Sequence, residues 1–396
     1  MRKFLTALML VLLTAPAMAD SQEKDKHLDD VLKYGGEGIT AVYNLDFKTA
    51  RKNIDIAFEK YPNHPYAHFG NMLVEWGRFE YEFEKSNPQQ KKVFEAVLQD
   101  SITGISSWLK THPDDPMAFM ALGGAYGLRG LFAMDNKSWV TAYFSARKGV
   151  SYMKKAVAVD PDFYDAYFGL GMFEYYTGTL PSVVKILAKI VAMKGDPQKG
   201  VDYLNTSREK GMFTKDASKL LLVEIYNSRI SAFYNPQEAL GYIREVAKKY
   251  PANPLMGFVE IIVQYENKNY DTVIVLARKF LNNIGKKPFF TEMYVPRSYT
   301  AIGTAQMAKG QWNEALKTLL KAKEVSFDGK EPSRWAVWNL LRLGQTYDAL
   351  GQRKEAEAIY KLILRQHDTW DINGEAKKYL KTPFTKDTEL GPLPPL

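Results

Sequence analysis

A pattern of small, glycine and aromatic residues occurs twice in succession between Pro296 and Ile363. The first copy consists of Tyr299, Ile302, Gly303, Gly310, Trp312, Ala315, Leu319 and Ala322. The second copy consists of Leu343, Gly344, Tyr347, Gly351, Ala356, Tyr360 and Ile363. Each copy places a small residue where one helix presses on the next, a glycine at a turn, and an alanine on the second helix. The pattern predicts two helical hairpins, which bury their apolar faces by stacking on neighbours.

These spacings resemble those of the tetratricopeptide repeat (TPR) family. The resemblance implies an all-α fold in which helical hairpins stack into a right-handed TPR-like superhelix, an α-solenoid. Apolar residues recur at helical spacing along the chain, and strand signals are essentially absent. In TPR proteins the first helix of each hairpin, helix A, lines a concave groove, and the second is helix B. The resemblance therefore implies a binding groove formed by the A helices.

The helix-B position of Ala315 and Ala356 can be followed back towards the N-terminus. The residues that fall on it are Ala50, Ser101, Gly149, Gly200, Ala239, Val273, Ala315 and Ala356. Their intervals run from 34 to 51 residues, and only one equals the TPR period of about 34. We therefore expect about eight hairpins, with longer helices or connections in the N-terminal half.

The repeats divide the chain into three regions after a leader. Residues 20–292 hold divergent TPR-like repeats with an inserted helix near 180–194, and residues 293–380 hold the two well-matched units and a capping helix. Residues 381–396 form a proline-rich tail, which we expect to be extended or disordered because proline cannot continue a helix. Apolar residues nearly surround the inserted helix, which favours a buried element over a membrane-surface helix.

The first 19 residues have the three parts of a secretory signal peptide. Arg2 and Lys3 form the charged start, residues 4–13 the apolar stretch, and residues 17–19 a small-residue cleavage site. The chain contains no cysteine, which excludes a lipidated N-terminus, disulfides and thiolate metal sites. We therefore expect an exported periplasmic protein that is cleaved after Ala19.

The charge of the mature chain is only mildly basic. Removal of Arg2 and Lys3 leaves 51 basic against 45 acidic residues, a net charge of about +6. The excess is spread along the chain and contains no basic run of the kind that binds nucleic acid. A nucleic-acid partner is therefore not expected.

Residues that could carry chemistry are few. His64 and His68 lie one helical turn apart, but Pro65 pushes His64 towards an extended conformation, which favours a core or capping role over metal binding. No nucleophile elbow or phosphate-binding loop follows a predicted strand. We therefore predict no catalytic residue, no cofactor and no metal site, and a protein that is not an enzyme.

The groove-lining positions of TPR helix A, transferred onto this sequence, give a set rich in aromatic residues. The candidates for partner binding are Tyr66, Phe69, Trp76, Phe168, Met172, Tyr175, Phe258, Tyr265, Arg297 and Trp338. The last helix A also places Gln345 and Asp348 at such positions. Aromatic rings supply a large contact area at low entropic cost, which suits a groove for an extended peptide or a helix. The alternative is that the same rings form core against the inserted helix or the tail.

Two functions fit these features. The favoured one is a non-catalytic scaffold or adaptor, which binds another envelope protein or a peptide in the concave groove. The alternative is a carbohydrate- or peptidoglycan-handling envelope protein, with the same aromatics stacked on sugars and possible hydrolytic activity. A pair of carboxylates flanking an open groove would favour the second function over the first.

Overall fold

The computed structural model describes residues 28–82, 88–136, 138–179, 195–326, 332–368 and 370–394. Within these ranges the chain forms 17 α-helices and no β-strand, so the predicted all-α TPR-like fold is confirmed. The predicted signal peptide, residues 1–19, and the predicted inserted helix near 180–194 lie outside the described residues. The chain divides into two compact units, residues 1–225 and 226–396.

In its described residues, the first unit contains eight complete helices, arranged as four hairpins. They are α1 (Leu28–Tyr43), α2 (Phe47–Lys60), α3 (Pro65–Glu82), α4 (Pro88–Thr111), α5 (Pro116–Asp135), α6 (Trp139–Val159), α7 (Ala166–Gly178) and α8 (Pro197–Lys210). The two helices of each hairpin pack on one another, from α1 with α2 to α7 with α8. The boundary between the units falls within the next helix, α9 (Lys215–Asn227).

The second unit continues the alternation of A and B helices. Its helices are α10 (Pro236–Lys249), α11 (Pro254–Glu266), α12 (Tyr270–Asn283), α13 (Tyr294–Ala308), α14 (Trp312–Ser326), α15 (Arg334–Ala349), α16 (Arg353–Ile363) and α17 (Ile372–Lys381). Helices α11 to α16 form three packed hairpins, and α17 packs on both α15 and α16 as a cap. The described helices therefore include seven packed hairpins, four in the first unit and three in the second, and a capping helix.

Several helix starts are encoded by a polar residue followed by proline. The Asp115 carboxylate accepts hydrogen bonds from the amides of Met117 and Ala118 at 2.8 and 3.3 Å, directly before Pro116 occupies the first helical position. The same arrangement begins α8, α10 and α11 at Asp196, Asn235 and Asn253. Proline has no amide hydrogen to satisfy at this position, and the preceding side chain satisfies the amides that follow.

Small residues allow the paired helices to approach closely. All eight residues of the predicted helix-B position are buried. A Cβ atom on Gly171 would lie 2.8 Å from the carbonyl oxygen of Gly200, so the two backbones touch where α7 crosses α8. In the second unit, a Cβ on Gly303 would lie 2.5 Å from the Leu319 side chain, and one on Gly344 would overlap the Tyr360 ring. The close crossings predicted at Gly303 and Gly344 are confirmed.

Among the described helices, α5 is long and apolar enough to cross a membrane. However, 72% of its apolar stretch is buried inside the protein. It packs against α6 and also contacts α3, α4 and α7. This environment is typical of a core helix.

Candidate functional site

The segment after α17 packs against the second unit. Residues 382–394, here called the tail, contain no helix, and residues 389–394 are extended without a turn or bend. Phe384 and Leu393 are only 2% and 3% exposed. The Phe384 ring packs against the rings of Trp312 and Tyr379, with centroids 6.2 and 5.7 Å apart. The tail is therefore an ordered part of this unit, held by apolar contacts near both of its ends.

Arg342 on α15 binds the main chain of the tail. Its Nη2 donates to the carbonyl oxygens of Gly391 and Pro392, at 2.7 Å in each case. Its Nη1 donates to Oε1 of Gln345 at 3.0 Å, and the guanidinium lies 5.5 Å from the centre of the Trp338 ring. These contacts are specific to backbone carbonyls and do not read the side chains of the tail directly.

Arg342 is 1% exposed, and burial lowers its pKa. An arginine nevertheless keeps its charge inside proteins. A buried cation is costly unless acceptors surround it, and no carboxylate among the described residues lies within ion-pairing distance of this one. The two tail carbonyls and Gln345 therefore provide the acceptors that this charge requires.

Two further side chains hold the tail near Arg342. The hydroxyl of Tyr265 on α11 donates to the carbonyl oxygen of Gly391 at 3.4 Å, and burial raises the pKa of Tyr265 to about 12. Arg229, in the loop after α9, donates through Nη1 to the Leu390 carbonyl oxygen at 3.0 Å and to Oε1 of Glu389 at 3.1 Å. The chain from 389 to 392 is thus bound through three consecutive carbonyls and one carboxylate.

The start of the tail is held by Asp348 at the end of α15. Its Oδ2 accepts hydrogen bonds from the amide of Phe384 and the hydroxyl of Tyr360, both at 3.0 Å. Arg353 pairs with the same carboxylate at 3.0 Å and donates to the carbonyl oxygens of Tyr379 and Leu380. Asp348 therefore fixes the point at which the chain leaves α17. We call Arg229, Tyr265, Arg342 and Asp348 together the tail-binding face.

The A helices beside this face bury many polar side chains. Three threonine hydroxyls donate hydrogen bonds of 2.7 Å to carbonyl oxygens one helical turn earlier, those of Thr300, Thr304 and Thr346. Among the described residues, no partner is found for Nε1 of Trp338 or for Nε of Arg342, although both atoms are buried. Buried polar atoms are normally hydrogen-bonded, so this face has more donors than the tail alone uses.

In the first unit, the structure places most of the predicted partner-binding residues in the core. Tyr66, Phe69, Trp76, Phe168 and Tyr175 are buried, and Met172 is half-buried. Tyr66 packs edge-on against Phe213 at 5.2 Å, and Trp76 packs with Phe94 at 5.0 Å. Their contacts favour the core alternative, because rings buried against neighbouring helices have little surface left for a partner.

In the second unit, the predicted residues separate into two groups. Phe258 is fully buried in an aromatic cluster with Phe280 and Trp335, and Arg297 is buried against the Tyr294 ring at 5.2 Å. The others lie at the tail-binding face. Tyr265 contacts the tail, the half-buried Trp338 contacts Arg342, and Gln345 and Asp348 hold Arg342 and Phe384.

Arg342 and Arg229 were missed by the reasoning from sequence. Arg342 lies four residues after Trp338 and three residues before Gln345 on the same predicted helix A. A basic residue between predicted groove positions is a signal that could have identified it. Arg229 gives no comparable signal, because it lies in the loop after α9 and not on a predicted A helix.

The first unit contains one unusual carboxyl group. Glu224 on α9 accepts a hydrogen bond from the hydroxyl of Tyr176 on α7 at 3.0 Å, and no partner for its Oε2 is found in the described part of the chain. Burial raises the pKa of Glu224 to about 7. This group therefore titrates near neutral pH.

The described histidines do not form a metal site. His64 and His68 are both buried, with His64 against the Trp108 ring at 5.6 Å and His68 against Phe58 at 4.9 Å. Burial lowers the pKa of His68. Over the described ranges, no group of three or more His, Cys, Asp or Glu side chains is arranged to hold a metal ion.

Comparison with known proteins identifies the hairpin that carries the tail-binding face. A family model described as a tetratricopeptide repeat matches residues 339–365, which cover most of α15 and all of α16. These residues are therefore similar to a tetratricopeptide repeat. The resemblance to the TPR family predicted from the sequence is therefore confirmed at this hairpin. No curated protein sequence matches the chain.

Solved structures of helical-repeat proteins resemble the chain only distantly. The human IFIT1 dimer with PPP-AAAA is 12% identical, with 91% of this chain and 85% of that chain covered and a TM-score of 0.42. The apo form of the quorum sensor NprR from B. thuringiensis is 11% identical, with 90% and 83% covered and a TM-score of 0.41. A tetratricopeptide repeat protein from Parabacteroides merdae is 10% identical, with 79% and 99% covered and a TM-score of 0.32.

Proposed function

We propose that this protein is a non-catalytic scaffold or adaptor, which binds an extended segment of a partner protein at the tail-binding face. The observation that carries the proposal is the extended segment already bound there. Arg342, Tyr265 and Arg229 hold consecutive carbonyls of residues 390–392. Main-chain recognition of this kind accepts an extended peptide of varied sequence.

The face has the parts that an extended partner segment needs. Buried donors bind carbonyl oxygens. The positively charged side chain of Arg229, which is 30% exposed, lies at the rim of the face. The site that encloses Leu393 accepts an apolar side chain. Buried anchors surrounded by a polar rim are the usual arrangement of a protein interface.

We further propose that the partner is another protein of the cell envelope and that the mature chain works in the periplasm. The three signal regions before Asp20 and the lack of cysteine support this location. A mildly basic chain without a basic run fits a protein partner better than a nucleic acid.

The carbohydrate alternative receives no support from the carboxylates of this face. Glu266 pairs with Arg229 at 2.6 Å, and Asp348 pairs with Arg353 at 3.0 Å. A glycosidase needs one free carboxylic acid and a second carboxylate across the bound sugar. The carboxylates of Glu266 and Asp348 are instead both held in ion pairs, which help to hold the tail in place.

Site-specific photocrosslinking tests the proposed function. A photoreactive benzoylphenylalanine replaces Tyr270, whose ring lies 5.5 Å from that of Tyr265 at the rim of the face. The matched control carries the same group at Val275, which is 63% exposed on the same helix. We expect a discrete crosslinked partner protein from position 270 in living cells and none from position 275. Identical products from the two positions, or none from either, would contradict the proposal.

A further inference from the structure

We infer that the tail is a built-in competitor of the partner, and that the partner segment displacing it has the pattern acidic, apolar, any residue, proline, apolar. This inference deepens the proposed function and rests on it. The pattern is that of residues 389–393, Glu-Leu-Gly-Pro-Leu.

The tail supplies acceptors for the charge of Arg342. Without the tail, this guanidinium loses two of its three protein acceptors, the carbonyl oxygens of Gly391 and Pro392. A buried cation that loses its acceptors is strongly unfavourable. The face is therefore poorly suited to stand empty, and the tail occupies it until another chain supplies carbonyls in the same places.

Proline at the fourth position restricts the backbone of the segment. Arg342 donates to the carbonyl oxygen of Pro392, and Pro392 itself is exposed. Proline fixes its own φ angle and restricts the residue before it. A segment with proline at this position therefore loses less conformational entropy on binding than a segment with an ordinary residue there.

Leu393 and Glu389, at the two ends of the segment, contribute differently to binding. Leu393 is 3% exposed, and a polar replacement would lose this apolar contact and bury a group without a partner. Glu389 is 89% exposed and pairs with Arg229 at 3.1 Å. An exposed pair of this kind adds little affinity, but it selects the sign of the approaching charge. The apolar residue thus anchors the segment, and the acidic residue selects a segment with a negative charge at its first position.

The tail competes with a partner segment as an intramolecular ligand. Residues 382–388 tether the segment to α17, so it acts at the high effective concentration of an intramolecular ligand, in the millimolar range for a short linker, about 1 mM. A separate peptide of the same sequence must compete with it. Its apparent affinity is its affinity for an open face multiplied by the fraction of molecules whose face is open.

The experiment uses the full chain and a fluorescent peptide with the sequence of residues 385–394. In the variant Leu393→Asp, the tail is loosened and the tail-binding face is unchanged. The matched control is Leu320→Asp, the same change at a residue that is 37% exposed on α14. Thermal unfolding confirms that each variant is folded, and Glu389→Lys provides a second loosened tail. Binding is measured by fluorescence anisotropy.

We expect the peptide to bind the Leu393→Asp variant at least about tenfold more tightly than the parent or the Leu320→Asp control. Peptides that carry Leu393→Asp or Pro392→Ala should bind the loosened variant more weakly than the unchanged peptide. Equal binding to all three proteins would overturn the inference, because the tail would then not compete. Equal binding of all three peptides would overturn the pattern.

The outcomes also separate this inference from the proposed function. If the tail peptide fails to bind the loosened variant while position 270 still crosslinks a partner, the proposed function holds and the inference falls. If neither is observed, both fall. If the loosened variant binds the tail peptide and crosslinks more partner than the parent, both are supported.

Discussion

The guanidinium of Arg342 lies 2.7 Å from the carbonyl oxygen of Gly391, although 49 residues separate the two along the chain. This contact joins the middle of α15 to a segment beyond the capping helix. It converts the tail from an appendage into a structural element of the second unit. The consequences of this contact can be measured directly.

Replacement of Arg342 should release the tail. In Arg342→Met the carbonyls of Gly391 and Pro392 lose their donor, and a lost buried hydrogen bond typically costs about 1–3 kcal/mol. Lys386 in the tail should then be cleaved by trypsin faster than in the parent, as followed by mass spectrometry. The control is Arg365→Met, at a residue outside the tail-binding face. An unchanged cleavage rate at Lys386 in Arg342→Met would contradict the role of Arg342.

The crossing at Gly344 should not tolerate a side chain. A Cβ there would overlap the Tyr360 ring, so Gly344→Ala should lower stability by about 1–3 kcal/mol through overpacking. Gly241 is the matched control, because it lies in helix α10 with no atom within 4 Å of an added Cβ. Gly241→Ala should raise stability by about 0.4–1 kcal/mol. Denaturant unfolding of both variants measures the contrast, and effects of equal sign would count against the close crossing.

Glu224 should make stability depend on pH. Because its pKa rises from 4.5 to about 7 on folding, the folded state binds the proton more tightly than the unfolded state. Its contribution to stability is therefore lost as pH rises from 4.5 to about 7 and is constant above that. Because the side chain of Glu224→Gln cannot titrate, the melting temperature of this variant should rise relative to that of the parent as the pH increases from 4.5 to about 7. A constant difference between pH 4.5 and 8 would show that Glu224 does not titrate as expected.

Phe258 and Trp338 should respond differently to truncation. Phe258→Ala removes a fully buried ring from an aromatic cluster, which typically costs about 3–5 kcal/mol. Trp338 is half-buried beside Arg342, so Trp338→Ala should cost less stability and should lower partner binding instead. Melting temperature and recovery of the crosslinked partner are measured for both. Equal losses of stability would assign Trp338 to the core.

Export should yield a mature chain that begins at Asp20. The charged start, the apolar stretch and the small residues before position 20 have the order of a cleaved signal. N-terminal sequencing of protein from the soluble periplasmic fraction tests this. Recovery of an uncleaved chain from the cytosol would exclude it.

The repeat architecture could be predicted because it depends on local signals. Helix crossings are marked by small residues such as Ala356 and Gly344, and a helix start is marked by Pro116. The helical spacing of apolar residues predicts the helices between these points. The tail-binding face could not be predicted in the same way. The contact between Arg342 and Gly391 depends on the path of an irregular segment, and a proline-rich sequence does not encode that path locally.

The candidate residues show the same limit. A position on helix A places Phe258 and Tyr265 equally well in a groove, because they lie two helical turns apart. Only the packing of α12, α13 and the tail decides that Phe258 is core and that Tyr265 contacts the tail. Such packing depends on residues distant in sequence.

The two kinds of glycine crossing give two of the hairpins different freedom to change during evolution. Where Gly344 faces the Tyr360 ring, a larger residue at position 344 can be accommodated by a second substitution that shortens position 360. Where Gly171 meets the backbone of Gly200 and Leu204, shortening a side chain does not remove the backbone contacts. We therefore expect glycine to be retained at position 171 in the hairpin of α7 and α8. In the hairpin of α15 and α16, positions 344 and 360 can change together as a compensating pair of substitutions.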